Sequence, residues 1–274
     1  MPALAARAAG SPSRLIGLTW IEEWQTLLVR PDSGISRPEH LKGKRLALPA
    51  WGENRPGSIA RAMSLHGYKG ALSLAGLGFD DVQLVEVALQ DQERAASPQE
   101  GLQRLWSGLD YLVRGEVDAV YVKGAAAADA ARRLGLVVGI DLDLVAEPRY
   151  RINNGTPRPI TVHQSLLDNH FDLVVRFLAQ TLRAADWAAH NRPALNAILE
   201  EETRAGSAGV NEAYRGDFHT TLAPDLSPQR LEFLDIQKNF LYRHGFLERD
   251  FAIADWVDPR PLHAAHELLA QRRA

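Results

Sequence analysis

The chain has 274 residues, 46% hydrophobic and 24% charged, a composition that suits one large globular domain or two smaller ones and excludes disordered, collagen-like and coiled-coil classes. Its 31 Lys plus Arg against 34 Asp plus Glu leave a formal net charge of -3, so there is no broad basic field for nucleic acid or an anionic membrane, and any anion site must be local. The absence of cysteine excludes disulfides, thiolate metal sites and, within this chain, a cysteine nucleophile.

The first twenty residues, MPALAARAAG SPSRLIGLTW, contain no continuous apolar stretch of the length a secretory signal needs. As sequenced the chain is expected to be cytoplasmic, and periplasmic if an export signal lies upstream. No apolar run reaches the roughly 18 residues of a membrane span, so no membrane insertion is expected. A short helix from Pro2 to Ala9 leads through Gly10-Ser11-Pro12 into an apolar run with no strand before it. This suggests a natural chain that begins further upstream.

Strand-length apolar runs follow at Leu15 to Leu18, Leu27 to Val29, Arg45 to Leu48, Val82 to Val87 and Val117 to Val122, bounded by Gly, Pro or charged residues. Ser97-Pro98-Gln99-Glu100 combines a Ser cap, Pro at the first helical position and a Glu at the third, and predicts a helix carrying Leu102, Leu105, Trp106, Leu109, Leu112 and Val113. Gly124 to Leu134 reads as an ordinary Ala-rich helix. A further helix begins near Ser165 with Phe171, Val174, Val175, Leu178 and Leu182 on one face. Another runs from Ser227-Pro228 to a stop at Gly245. Strands alternate with helices to about residue 140 and helices dominate thereafter, so the class is α/β.

The stretch from Leu48 to Ser58 joins a strand to a helix expected to start near Pro56. The unpaired N–H groups and partial positive charge of a helix N-terminus favour a small anion there, with Arg55, Asn54 and Ser58 as side-chain donors and Trp51 as an apolar wall. The alternative is a polar loop in which Arg55 pairs with Glu53 or solvent. Trp20 and Trp24 flank Glu22-Glu23 at the carboxyl end of the first strand, where open α/β sheets place clefts. Gln90 and Lys123 hold the same position after later strands.

Sharper motifs fail on context. Ser207, in Ala205-Gly206-Ser207-Ala208-Gly209, lacks the preceding strand of a nucleophile elbow and reads as loop. His263, His266 and Glu267 have helical ligand spacing but no third convergent ligand, so no metal site is expected. Gly76-Leu77-Gly78 precedes a strand, the reverse of a dinucleotide fingerprint.

Ile35 to Pro49, with its Leu41-Lys42-Gly43-Lys44-Arg45 core, resembles the linker-and-strand signature of type II periplasmic-binding-protein folds that bind sulfonates and taurine. Gly115-Glu116-Val117-Asp118-Ala119-Val120-Tyr121 resembles a second motif of that superfamily. Within it the chain is most similar to the 2'-hydroxybiphenyl-2-sulfinate desulfinase (DszB-like) branch, through Arg14 to Thr19, Phe79 to Val85, Phe218, Leu222-Ala223-Pro224, Gln237 to Leu241 and Asp255-Trp256.

The resemblance implies a two-lobed α/β protein, apparently lacking its N-terminal strand-helix-strand segment, with lobe 1 at 1–32 and 144–274 and lobe 2 at 33–143. It also implies a small organosulfur anion, a sulfonate or sulfinate, bound in an interlobe cleft by Trp20, Trp51, Asn54, Arg55, Ser58, Gln90 and Lys123, with no cofactor and, for an importer component, an ABC transporter permease as partner. Lys123 stands where the enzyme branch has an apolar aromatic setting, which hints at a more acidic ligand. The alternative implied activity is C–S bond hydrolysis of an aryl sulfinate. That chemistry depends in the family on a cysteine, a histidine and an arginine that align upstream of Met1, so no catalytic residue is assigned in this chain. A pyrimidine-precursor synthase of the same fold would want a histidine and cysteine cluster not seen here.

Overall fold

The computed structural model describes residues 1–89, 106–153 and 157–271. The expected strands appear as β1 (Ser13–Trp20), β2 (Gln25–Val29), β3 (Arg45–Pro49), β4 (Gln83–Val87) and β5 (Val120–Lys123). Two more, β6 (Val137–Asp141) and β7 (Pro157–His163), follow the point at which the sequence pattern turns helical. Pro157 and Pro159 cannot donate to a ladder, which masks β7 in the sequence. The helices are α1 (Pro2–Ala8), α2 (Ile59–Ser73), α3 (Leu109–Val113), α4 (Ala125–Arg133), α5 (Gln164–Asn169), α6 (Phe171–His190), α7 (Arg192–Thr203), α8 (Ser207–Ala213), α9 (Pro228–Arg243) and α10 (Arg260–Gln271).

Three expectations are corrected. The helix foreseen from Ser165 is two helices, because His170 leaves helical geometry at φ -140° and ψ 45°. The start of the helix foreseen from Ser97 lies outside the described residues. Its described end is a separate short helix, since Gly108 breaks the run at φ 108°. Ser207 is not loop but the first residue of α8, and Asp129 on α4 accepts the N–H of the preceding Gly206 at 2.7 Å. No local pattern could show that contact.

The chain divides into two compact units. The first comprises Met1–Ile21, Asn154–Arg192 and Asp217–Ala274, and the second Glu22–Asn153 and Pro193–Gly216. In the first, β1 and β7 pair antiparallel from Ser13↔His163 to Trp20↔Pro157. Ile16 and Val162 on that ladder bury against Val174, Val175, Leu178 and Leu182 of α6 and Leu262 and Ala265 of α10. The apolar stripe expected on this helix makes the core from Val174 to Leu182, while Phe171 at its start is exposed.

In the second unit β2 lies between β5 and β6, antiparallel to both. This pairing is why β2 falls in the second unit rather than with the first strand. β3 and β4 pair parallel from Arg45↔Gln83 to Pro49↔Val87, and a parallel bridge Leu46↔Ala119 ties β3 to the chain entering β5. The unit thus holds a three-stranded sheet, β5-β2-β6, and a two-stranded sheet, β3-β4, joined by that bridge. Helix α2 is buried almost all round and packs on β3. Tyr68 of α2 donates to the Ala47 carbonyl at 2.6 Å and accepts the Tyr121 N–H at 3.0 Å. Gly67 allows this approach: a Cβ there would lie 2.2 Å from the Tyr121 ring.

Candidate functional site

Parallel β3 and β4 both end at one edge of the second unit's sheet, where Ala50 N–H donates to the Val87 carbonyl at 2.9 Å. Carboxyl ends of parallel strands are where open α/β sheets present their ligand loops. One parallel bridge, Leu46↔Ala119, joins β3 to the chain entering β5, and just past it the Tyr68 hydroxyl stands between the Ala47 carbonyl and the Tyr121 N–H.

The loop is braced by its own side chains. Ser58 Oγ accepts the Gly52 N–H at 2.9 Å and donates to the Asn54 carbonyl at 2.9 Å. Asn54 Oδ1 accepts the Gly57 N–H at 2.6 Å. These bonds delay α2 to Ile59 rather than Pro56, so the anion-favouring helix end is shifted and Asn54 and Arg55 lie in the turn before it. Ser58 is buried and both its partners are backbone, so it holds the loop's shape and no base activates its hydroxyl.

Trp51 carries two guanidinium groups. Arg55 lies 4.5 Å from the ring centroid and Arg61 4.8 Å. Arg61 is fixed, donating to the Pro49 carbonyl at 2.7 Å and to Glu86 at 3.0 Å. Arg55 is exposed and does not pair with Glu53. A cation held over an indole by its quadrupole alone is worth less than a carboxylate pair in a dry site, so Arg55 is the guanidinium available to an incoming anion.

Lys123 is differently placed. Its side chain is only 3% exposed and its Nζ lies 3.3 Å from Glu23 Oε2. Glu23 Oε1 also accepts from the Tyr214 hydroxyl at 3.2 Å. Gly124, at φ +84°, turns the chain here, and a Cβ on it would meet Glu23 Oε1 at 2.7 Å. The charge of Lys123 is thus met by a carboxylate within the protein. Beside it, Arg215 pairs with Asp141 at 2.9 Å and Asp143 at 3.2 Å, and Arg151 pairs with Glu22. Burial pushes the Asp143 carboxyl up, Arg215 opposes the rise, and Glu22 and Asp141 add to it. Burial likewise raises the Tyr121 phenol well above its usual range, where it donates to Gln25 Oε1 at 3.1 Å.

Of the residues singled out in the sequence, the structure gathers Trp51, Asn54, Arg55 and Ser58 in one loop and pairs Lys123, at the end of β5, with Glu23. Trp20 ends β1 in the first unit, buried against Phe233 with ring centroids 5.3 Å apart. Gln90 lies outside the described residues. Sequence reasoning missed Arg61 and Glu86, which pair across α2 and β4, and the ion pairs of Glu22, Glu23, Asp141 and Arg215. Among the described residues no group of His, Asp or Glu side chains is placed to hold a metal ion, and no helix is long and apolar enough to cross a membrane.

A family model described as NMT1/THI5 like matches residues 2–97. The 2'-hydroxybiphenyl-2-sulfinate desulfinase of Rhodococcus erythropolis is 24% identical over 296 residues, covering 96% of this chain and 78% of that protein. The crystal structure of the desulfurization enzyme DSZB superimposes with a TM-score of 0.71 at 22% identity, over 97% of this chain and 83% of that one. The periplasmic aliphatic sulphonate binding protein SsuA of Escherichia coli gives a TM-score of 0.62 at 16% identity, over 94% and 73%. A putative sulfonate-binding SsuA of Methylobacillus flagellatus gives 0.70 at 15% identity, over 98% and 73%. On likeness of this extent, the chain has the type II periplasmic-binding-protein-like α/β fold.

Proposed function

We propose that this protein binds a small organosulfur anion, a sulfonate or sulfinate, at the loop of residues 50–58. The observation that carries the reading is Arg55: an exposed guanidinium, paired with no carboxylate among the described residues, held 4.5 Å over Trp51 in the loop at the carboxyl ends of β3 and β4. A guanidinium presents paired donors that match the geometry of a sulfonate or sulfinate oxygen pair, and the indole supplies the apolar contact beside it. The names of the structural neighbours support this reading, since the SsuA proteins are sulfonate-binding components of ABC transporters. The partner in that role is an ABC transporter permease.

The alternative, hydrolysis of an aryl sulfinate to arene and sulfite, rests on the desulfinase likeness and lacks a thiolate in this chain. Calorimetric titration with ethanesulfonate, benzenesulfonate and biphenyl-2-sulfinate tests binding, with a sulfite assay on the last. Saturable heats that weaken about tenfold or more in Arg55→Ala, the size expected for a charge-assisted bond, support the proposal. Absence of binding by all three overturns it, and sulfite release moves the assignment to the hydrolase.

A further inference from the structure

We infer that Arg55 and Trp51 form an exchangeable pair that selects organic oxyanions over inorganic ones, with Arg61 as the positioning residue that keeps the indole in place when Arg55 leaves it. The inference rests on the proposed anion site and names what that site discriminates.

The two arginines on Trp51 differ in what else holds them. Arg61, on α2, is tied to the Pro49 carbonyl at 2.7 Å and to Glu86 Oε2 at 3.0 Å, with its side chain 14% exposed. Moving it would break both bonds. Arg55 is exposed on the loop, and among the described residues its contact with the ring, at 4.5 Å, is what positions its guanidinium. Exposed cation–π contacts are worth only about two- to fivefold in an equilibrium. An oxyanion that takes two guanidinium bonds outweighs that contact, so Arg55 turns to the anion and the indole face it covered is released.

What happens to the released face decides selectivity. Inorganic sulfate satisfies the guanidinium but has nothing to place on the ring, so the cation–π contact is lost without replacement. A sulfonate bearing carbon covers the ring instead, and each methylene removed from water is worth about fourfold in affinity. The loop around the pair stays in shape because Ser58 and Asn54 spend their hydrogen bonds on Gly52, Asn54 and Gly57 backbone groups. Exchange therefore costs one side-chain rotation rather than a loop rearrangement.

The test is fluorine NMR of protein labelled with 5-fluorotryptophan, in which the Trp51 resonance is assigned by its absence from Trp51→Phe. Ethanesulfonate, benzenesulfonate and sodium sulfate are titrated into wild type, Arg55→Gln and Glu86→Gln. The inference expects three results together. The Trp51 resonance of ligand-free Arg55→Gln differs from wild type. Both sulfonates bind wild type about tenfold or more tighter than sulfate and shift that resonance, as burial of a few carbons requires. Glu86→Gln, which loosens Arg61, broadens the Trp51 resonance and weakens the sulfonates more than sulfate. If sulfonates bind but the ligand-free Trp51 resonance is the same in Arg55→Gln, or sulfate binds as tightly as they do, the exchange is wrong while the anion site stands. If no sulfonate binds wild type, the site itself falls and the inference with it.

Discussion

Arg45 and Asp118, 73 residues apart, meet at three points: Nη2 lies 2.7 Å from Oδ1, Nε lies 3.2 Å from Oδ2, and the Arg45 backbone N–H donates to Oδ2 at 2.8 Å. The two sequence motifs that carry the resemblance, one ending in Lys44-Arg45 and the other containing Val117-Asp118-Ala119, are thereby joined to each other. Their pairing seats β3 beside the chain entering β5, where Asp118 N–H donates to the Arg45 carbonyl at 2.7 Å and Ala47 N–H to the Ala119 carbonyl at 3.1 Å.

The hydrogen bond from Arg45 holds the Asp118 carboxyl below its ordinary 3.8. A depressed folded-state value means the stabilisation is complete above 3.8 and is lost as pH falls through the lower folded value. Asp118→Asn is therefore expected to lower the Tm at neutral pH by roughly 2–4 °C, the shift for about 1 kcal/mol in a protein of this size class. The wild-type and variant melting curves converge as pH drops below 3.8. Calorimetric melting across pH checks this, and a constant gap down to acid denaturation would contradict it.

Lys123 and Glu23 are a buried pair, with side chains 3% and 14% exposed. Lys123→Met strands the Glu23 carboxylate and is expected to cost about 3–5 kcal/mol, whereas the double variant Lys123→Met, Glu23→Gln recovers most of that loss. Urea unfolding of the three proteins reads the difference. Equal losses in single and double variants would mean that the charge of Glu23 is not the cost.

Gly67→Ala places a methyl 2.2 Å from the Tyr121 ring. Because Tyr121 is fully buried and its neighbours Tyr68 and Trp106 stack edge-on at 6.4 and 6.2 Å, the ring has nowhere to retreat. The expected loss is about 1–3 kcal/mol in urea unfolding, despite the helix propensity gained by replacing Gly with Ala.

Asp129→Ala removes the acceptor of the Gly206 N–H just before α8 and is expected to cost about 1 kcal/mol. Hydrogen exchange should show the loss concentrated at residues 206–210. Uniform loss of protection would place the role of Asp129 elsewhere.

The sequence was most legible where a periodic pattern is local. The alternation of strands and helices, the Val174, Val175, Leu178 and Leu182 face of α6 and the start of α9 at Ser227-Pro228 are all written within a few residues, and they appear as read. Legibility failed where partners are distant. Ser207 looked like loop because the bond that holds the residue before it comes from distant Asp129, and β7 was hidden because its prolines suit a strand paired on one side only.

The candidate site divides the same way. The residue types at 51–58, a tryptophan, a cation and short polar side chains between a strand and a helix, were enough to place a polar strand-to-helix loop, since strand ends and helix starts are local features. Which of those side chains serve the loop and which face outward was decided only by tertiary structure. Ser58 and Asn54 turn inward to the backbone, Arg61 is pinned by a strand 25 residues away, and Lys123 is neutralised by Glu23 from a segment a hundred residues earlier in the chain. Charge compensation depends on distance in space and on exclusion of water, and neither is a property of a residue's place in the sequence.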